Sequence, residues 1–327
     1  MIAGKPIQTH YLEAMVAVFR HLRGERGLLG LEIMNEPTYG SLPPPRFERQ
    51  QMWPFNLRMI EGLRRDGERR MIWFGPNIMR DVVDLDSGRP ERFSDDGNLV
   101  YGPHVYTGTF NEGGPPELEA SYAAGIAEAK AYDAPMVDAE WGGGSDEKAE
   151  MMRALKIELQ DRFRVGSAFW MWKQRPGFYD WHTVNEDGSL RQDSMRAQQL
   201  SGPHADRVPG RIVSTGVEDG ALRVRARGRG GKARLWSGTV VHRGGETLLD
   251  RPLIRAFVDG RRVRPTLVRK VFATEKVKLR GFRVHLRVPA GDHEIVLKPG
   301  QPRWVKGHRA KGRWVKGAGG EPPPRGR

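Results

Sequence analysis

Around Pro203 the spacing of apolar residues changes period, and the change divides the chain into two kinds of structure. Before it, short apolar runs alternate with amphipathic segments. Tyr11, Met15, Val16, Val18, Phe19 and Leu22 recur at helical spacing and predict a helix over 11–22, stopped by Gly24 and Gly27. Leu28–Met34 reads as a buried strand, and the Pro43-Pro44-Pro45 loop leads to a helix near 54–65. Strands follow at 71–74, 99–101, 135–139 and 165–171, with helices at 116–132 and 146–163 between the later ones. Nearly continuous apolar strands alternating with helices are the mark of a parallel sheet covered on its faces.

After Pro203 the helices stop. Short β-prone runs at 211–213, 221–226, 233–236, 253–258, 282–288 and 294–297 are punctuated by Gly and Asp. Ala221–Ala226 and Phe282–Val288 alternate apolar with basic residues, as half-exposed antiparallel strands do. The expected fold class is therefore α/β, a parallel sheet of about five strands over 1–204, followed by an all-β sandwich over 205–299. A low-complexity basic tail over 300–327, where Arg-Trp-Val-Lys-Gly occurs at 303 and again at 313, is expected to be disordered.

Charge follows the same division. The net charge is +14, yet residues 1–204 hold 24 basic and 30 acidic side chains, while 205–299 hold 22 basic and 9 acidic. The basicity belongs to the C-terminal third, which suggests two modules with separate tasks or an anionic partner for the second. With no cysteine, disulfides, thiolate metal sites and a cysteine nucleophile are excluded. No stretch approaches the roughly 18 apolar residues of a membrane span. Met1–Pro6 has no apolar core of a signal peptide, so secretion is expected only if a longer gene product carries one.

Four strand ends carry unusual residues. The first ends in Asn35-Glu36-Pro37, the 99–101 strand runs into Gly102-Pro103-His104-Val105-Tyr106, the 135–139 strand runs into Glu140-Trp141-Gly142, and the last holds Trp170 and Trp172 with Lys173. In parallel α/β folds these ends face the ligand. A carboxylate at two of them is the layout of a pair converging on one pocket. Taken singly each residue has a plainer reading: Glu36 as a helix-entry acid, Glu140 as a solvated loop acid, His104 as a hydrogen-bonded structural histidine, the tryptophans as packing.

Taken in order, Leu31–Pro37, Tyr101–Tyr106, Val137–Gly142 and Ala168–Lys173 resemble glycoside hydrolase family 5, most closely its endoglycoceramidase-related branch. The resemblance covers about residues 8–300. It implies a (β/α)8 TIM barrel followed by a β-sandwich and a retaining mechanism. Glu36 matches the general acid/base on strand 4 and Glu140 the nucleophile on strand 7. Asn35 matches the partner of the sugar 2-hydroxyl, His104 and Tyr106 the orienting pair on strand 6, and Trp170 the stacking platform on strand 8, with Trp172 and Lys173 beside it. Neither cofactor nor metal is implied, and the histidines lack ligand spacing.

A barrel of this kind takes about 250 residues, whereas about 200 precede the sandwich here. Only five strands can be placed, so strands 1–3 are expected to be absent and activity of this chain to be poor. Three functions compete: a glycosidase acting on a β-linked glycolipid or glucan, a non-catalytic carbohydrate-binding remnant, and a binder of anionic surfaces or nucleic acid. No nucleic-acid motif supports the third, so the expected partner is a carbohydrate or glycolipid and not nucleic acid.

Overall fold

A computed structural model describes residues 4–84, 90–174, 181–189, 196, 199–240, 254–273, 278–298, 307–310 and 313–316. Contacts divide the chain into two units: the first runs to Trp172 and includes Trp181, and the second takes in Lys173 and the residues from His182 onward. The division by contacts thus begins before the change of texture at Pro203.

The first unit contains β1 (Gly30–Glu32), β2 (Met71–Phe74), β3 (Leu99–Tyr101), β4 (Val137–Gly142) and β5 (Gly166–Trp170). Parallel ladders join β1 to β2, β2 to β3 and β4 to β5. Single parallel bridges, Tyr101 to Met136 and His104 to Glu140, link β3 to β4. The strands therefore lie side by side in chain order, each pair separated by helical structure.

The helices are α1 (Ile7–His21), α2 (Pro44–Phe47), α3 (Trp53–Arg65), α4 (Ile78–Val83), α5 (Pro115–Tyr132) and α6 (Glu147–Phe163). Local chemistry sets their ends. Pro115 opens α5, where its missing N–H costs nothing, and Asp146 caps α6 by accepting from Ala149 N at 2.8 Å. Asp133 and Arg164 close the same two helices in the left-handed conformation. Alternation along the strands then decides the core. Ile72, Phe74, Leu99 and Tyr101 point to the helical layer and pack with Phe19, Met59, Leu63, Leu118 and Tyr122, all nearly inaccessible. Burying each such side chain contributes about 1.5–3 kcal/mol. Gly62 lets α3 meet α1, since a Cβ there would lie 2.4 Å from Leu12 Cδ2.

The opposite face of the strands carries Glu32, Trp73 and Val100 in register. Its cover is uneven: Val100 is buried, yet Gly166, Ser167 and Ala168 of β5 are exposed, unlike strands packed on both faces.

The second unit begins with a short parallel pair, β6 (Lys173–Gln174) and β7 (Val184–Asn185). Two antiparallel sheets follow. One is ordered β13-β12-β16-β10-β9 and the other β14-β15-β11-β8. Their strands are β8 (His204–Arg207), β9 (Arg211–Glu218), β10 (Ala221–Gly228), β11 (Gly231–Val240), β12 (Arg255–Val258), β13 (Arg261–Val263), β14 (Thr266–Ala273), β15 (Lys278–Val288) and β16 (Gly291–Lys298). One core joins Leu222, Val224 and Ile295 of the first sheet to Leu235, Val284 and Leu286 of the second. Strands β8, β13 and β14 had no sequence expectation because their runs are short or interrupted by arginine. Within the basic tail, β17 (Gly307–Ala310) and β18 (Arg313–Lys316) pair antiparallel, a departure from irregular chain over those eight residues; the remainder of the tail lies outside the described residues.

Candidate active site

Three of the expected residues meet at the C-terminal ends of the strands. Glu36 Oε1 lies 3.0 Å from His104 Nδ1, and Glu140 Oε1 lies 4.0 Å from the same nitrogen. One oxygen of each carboxylate and that nitrogen all fall within 4.8 Å of one another. Tyr106 donates its hydroxyl to Glu140 Oε1 at 2.7 Å. The carboxylates remain partly open, with side chains 24% and 19% exposed, while His104 is 2% exposed. A buried ring thus separates two accessible acids.

Each position has a local cause. Glu36 sits just beyond β1 with φ at 42°, in the left-handed region that ordinary residues enter at a cost of about 1–2 kcal/mol. Its loop is tied by Ile78 N donating to Pro37 O at 3.1 Å. Glu140 lies inside β4 rather than after it, because the strand runs to Gly142 and its register shifts between Asp138 and Trp141. At Gly142 a Cβ would come 2.3 Å from Trp170 O, so only glycine permits β5 to approach there.

His104 and Tyr106 stand on a three-residue segment clamped from three elements. Asp81 of α4 accepts from His104 N at 2.8 Å through Oδ1, and its carbonyl accepts from Tyr106 N at 3.3 Å. Asp138 of β4 accepts from Val105 N at 3.1 Å, and Lys156 of α6 donates to Val105 O at 2.7 Å. Tyr122 and Gln160 donate to the other oxygen of Asp138 at 2.6 and 3.2 Å. Asp81 is itself placed through a π-helical turn over Glu48–Met52, which turns Glu48 inward to accept from Asn77 N and Nδ2, and Asn77 caps α4.

Sequence reading missed this buried polar layer, because Asp81, Asp138 and Lys156 look like ordinary polar members of amphipathic segments. It also missed Glu32, the last residue of β1. A hypothetical Cβ at Gly75 would lie 3.5 Å from Glu32 Oε1, and one at Gly102 would lie 3.8 Å from it. Two glycines thus make room for a third carboxyl, and the Leu-Glu-Ile-Met-Asn-Glu spacing was the available signal.

The electrostatics follow from burial and mutual charge. Burial pushes Glu32 up to about 7; His104 opposes the rise, while Glu140 and Glu36 add to it. Burial disfavours a charged His104, but its bond to Glu36 and the charges of Asp81, Glu140 and Glu32 outweigh that and raise it to about 9. Burial raises the Tyr106 hydroxyl, and the bond to Glu140 adds to this, so it remains a donor. Burial lifts Asp138 to about 6 and lowers Lys156 to about 8, each partly restored by the other.

The remaining expected residues lie in the loop after β1 and around the end of β5. Asn35 is exposed in the loop. Trp170 ends β5 and is 40% exposed; Trp172 follows the cis Trp170–Met171 bond and is 50% exposed. Lys173 starts β6, which belongs to the second unit. Unforeseen was an aromatic group in which Tyr106, Phe110 and Trp181 stand with ring centres 5.1–5.8 Å apart. Phe110 and Trp181 help line a cavity of about 370 Å³ with Thr109, Asn111 and Gly143. Glu36, His104 and Glu140 have the spacing of a cation site, but the bond from His104 to Glu36 and the one from Tyr106 to Glu140 already account for their closeness. Among the described residues, His104 is the only group able to carry positive charge within 4.0 Å of Glu140.

Several solved structures share this fold. A crystal structure of endogalactoceramidase aligns with a TM-score of 0.67 at 19% identity, covering 89% of this chain and 62% of that one. Endo-glycoceramidase II from Rhodococcus sp., in a cellobiose-like imidazole complex, aligns at 0.65 and 17% identity, covering 90% and 64%. Its lactosyl-enzyme intermediate aligns at 0.65 and 18%, covering 90% and 64%. The chain thus spans less than two thirds of these relatives. No curated protein matches it in sequence. Residues 6–176, more than half the chain, match the family model of Cellulase, and the protein accordingly belongs to glycosyl hydrolase family 5.

Proposed function

We propose that the protein is a retaining glycosidase acting on the β-linked sugar of a glycolipid or glucan, with Glu36 as general acid/base and Glu140 as nucleophile. The observation that carries this reading is that one oxygen of each carboxylate lies within 4.8 Å of the other. Retaining enzymes hold them about 5–5.5 Å apart, whereas inverting enzymes need about 6.5–9.5 Å to seat a water. In the first step Glu140 forms a bond to the anomeric carbon as the glycosidic C–O bond breaks, and Glu36 gives its proton to the departing oxygen. In the second, Glu36 takes a proton from water, whose oxygen displaces Glu140. Tyr106 aims Glu140, and His104 orders Glu36. Asn35 is assigned to the sugar 2-hydroxyl, and Trp170 with Trp172 to the apolar sugar face. Lys173 keeps only its sequence-based assignment as a substrate contact.

The five parallel strands are read as strands 4–8 of a (β/α)8 barrel, and the two antiparallel sheets as a β-sandwich. The glycolipid assignment rests on likeness to the endogalactoceramidase and endo-glycoceramidase II structures. The exposed Gly166–Ala168 stretch favours a second reading, a carbohydrate-binding remnant without turnover. Incubation with a 2-deoxy-2-fluoro-β-glucosyl fluoride, followed by peptide mass spectrometry, separates them. A glycosyl adduct on Glu140, absent in Glu140→Ala, is expected. Binding of lactose or cellobiose with no adduct would give the second reading, and neither adduct nor binding would overturn both.

A further inference from the structure

The outward face of the β14-β15-β11-β8 sheet is lined with positive charge. Ala233, Leu235, Val284 and Leu286 point into the core, so the intervening Lys232, Arg234, Arg283, His285 and Arg287 point away from it. Register places Arg234 directly beside both Arg207 and His285, and Lys232 beside Arg287. Like charges directly opposite weaken a sheet. The neighbouring sheet avoids this: Arg223 pairs with Glu218 and Glu294, and Arg227 with Asp292. On the basic face one acid, Asp206, lies near His204, Arg234 and Arg283 together. Arg207, Arg229 and Lys232 have no ion-pair partner among the described residues.

These groups line a cleft of about 720 Å³ with His285, walled by the Gly228–Gly231 turn. A Cβ at Gly228 would lie 2.2 Å from Pro209 O, and one at Gly210 would lie 2.4 Å from Arg227 O. The two chain segments therefore cross so closely that only glycine fits, bringing the loops that carry Arg207 and Arg229 together. His285 Nε2 is buried with no hydrogen-bond partner.

We propose that this cleft is a binding site for an oxyanion, a phosphate or sulfate group borne by a larger ligand, held by Arg207, Arg229 and Lys232 with His285 at its floor. Guanidinium forks match such oxygens in geometry and charge. Uncompensated cations set in register are a local cost that a bound anion removes. Burial, together with Lys232, Arg283 and Arg234, holds His285 below the ordinary imidazole range. A bound anion reverses the electrostatic part of that depression, which gives the site its own reporter.

The test follows the His285 ring proton by NMR in the full chain, assigned through His285→Gln, during titration with inorganic phosphate and then inorganic sulfate at low ionic strength. A saturable shift is expected, with the His285 midpoint rising by about half a pH unit or more. Affinity should fall at least about tenfold in Arg229→Ala/Lys232→Ala, whose changes lie at exposed positions. Phosphatidic acid in phosphatidylcholine vesicles, against phosphatidylcholine alone, tells the source: retention by the former marks a lipid headgroup, and phosphate binding without retention marks a soluble ester. A non-saturating response, or one unchanged in the double variant, would overturn the proposal. None of these readouts depends on glycosidase activity.

Discussion

Replacing Lys156 by methionine tests whether the buried layer beneath His104 and Tyr106 is held by charge or only by packing. Methionine nearly preserves the unbranched stem, so the loss is electrostatic. Lys156 is 1% exposed, donates to Val105 O at 2.7 Å and helps neutralise Asp138, which is fully buried. A hydrogen bond from a charged group contributes about 1.5–3 kcal/mol, and the buried ammonium also favours the charged form of Asp138 through space. Relief of the buried ammonium offsets part of this, leaving an expected loss of about 2–4 kcal/mol at pH 7. At roughly 2–4 °C per kcal/mol for a domain of this size, the melting point falls by about 5–15 °C.

The pH dependence gives the sharper readout. Asp138 in the folded protein is held up to about 6, above its unfolded value, so its ionisation disfavours the fold and stability declines as pH rises through that range. Without Lys156 its value rises further, at about 1.4 kcal/mol per unit once pH exceeds it. The destabilisation by Lys156→Met should therefore shrink between pH 7 and pH 5, and also shrink in an Asp138→Asn background. Thermal unfolding followed by near-ultraviolet circular dichroism measures both. Equal losses at the two pH values, with additivity in the double variant, would refute the charge argument.

Two further outcomes concern the site itself. Tyr106→Phe removes the 2.7 Å bond to Glu140, a charge-assisted contact worth about 1.5–3 kcal/mol, so covalent labelling of Glu140 should slow by about 10–150-fold. Glu32→Gln removes a negative neighbour of His104, so the imidazole, raised despite burial to about 9 by its bond to Glu36 and the surrounding charges, should titrate lower by about half a unit or more. Carbon-detected NMR of the glutamate carboxyls should also lose one group titrating near 7. An unmoved His104 would show that Glu32 acts only by filling space.

Much of the framework was legible because it rests on periodicity. All five parallel strands of the first unit occur where apolar runs predict them, and the helices at 54–65, 116–132 and 146–163 agree within a residue or so. Alternation of apolar and basic residues in Phe282–Val288 likewise marks one face buried and one outward. The Asn35-Glu36-Pro37 and Glu140-Trp141-Gly142 segments stood out because acids at the ends of apolar strands are costly unless partnered.

What sequence order alone determined is therefore which faces are buried, where strands lie, and that two carboxylates stand at or near strand ends about a hundred residues apart. Only the tertiary structure decided their partners. Asp138 and Lys156 sit where a solvated acid and a surface lysine would read identically, and they differ only because Val105 passes between them. Glu32 became a third carboxyl through the space left at Gly75 and Gly102, just past the ends of β2 and β3. Arg207, Arg234 and His285 form a row solely by cross-strand register. Burial periodicity is a property of neighbours along the chain, whereas desolvation and Coulomb interaction depend on distances through space, which no local pattern carries.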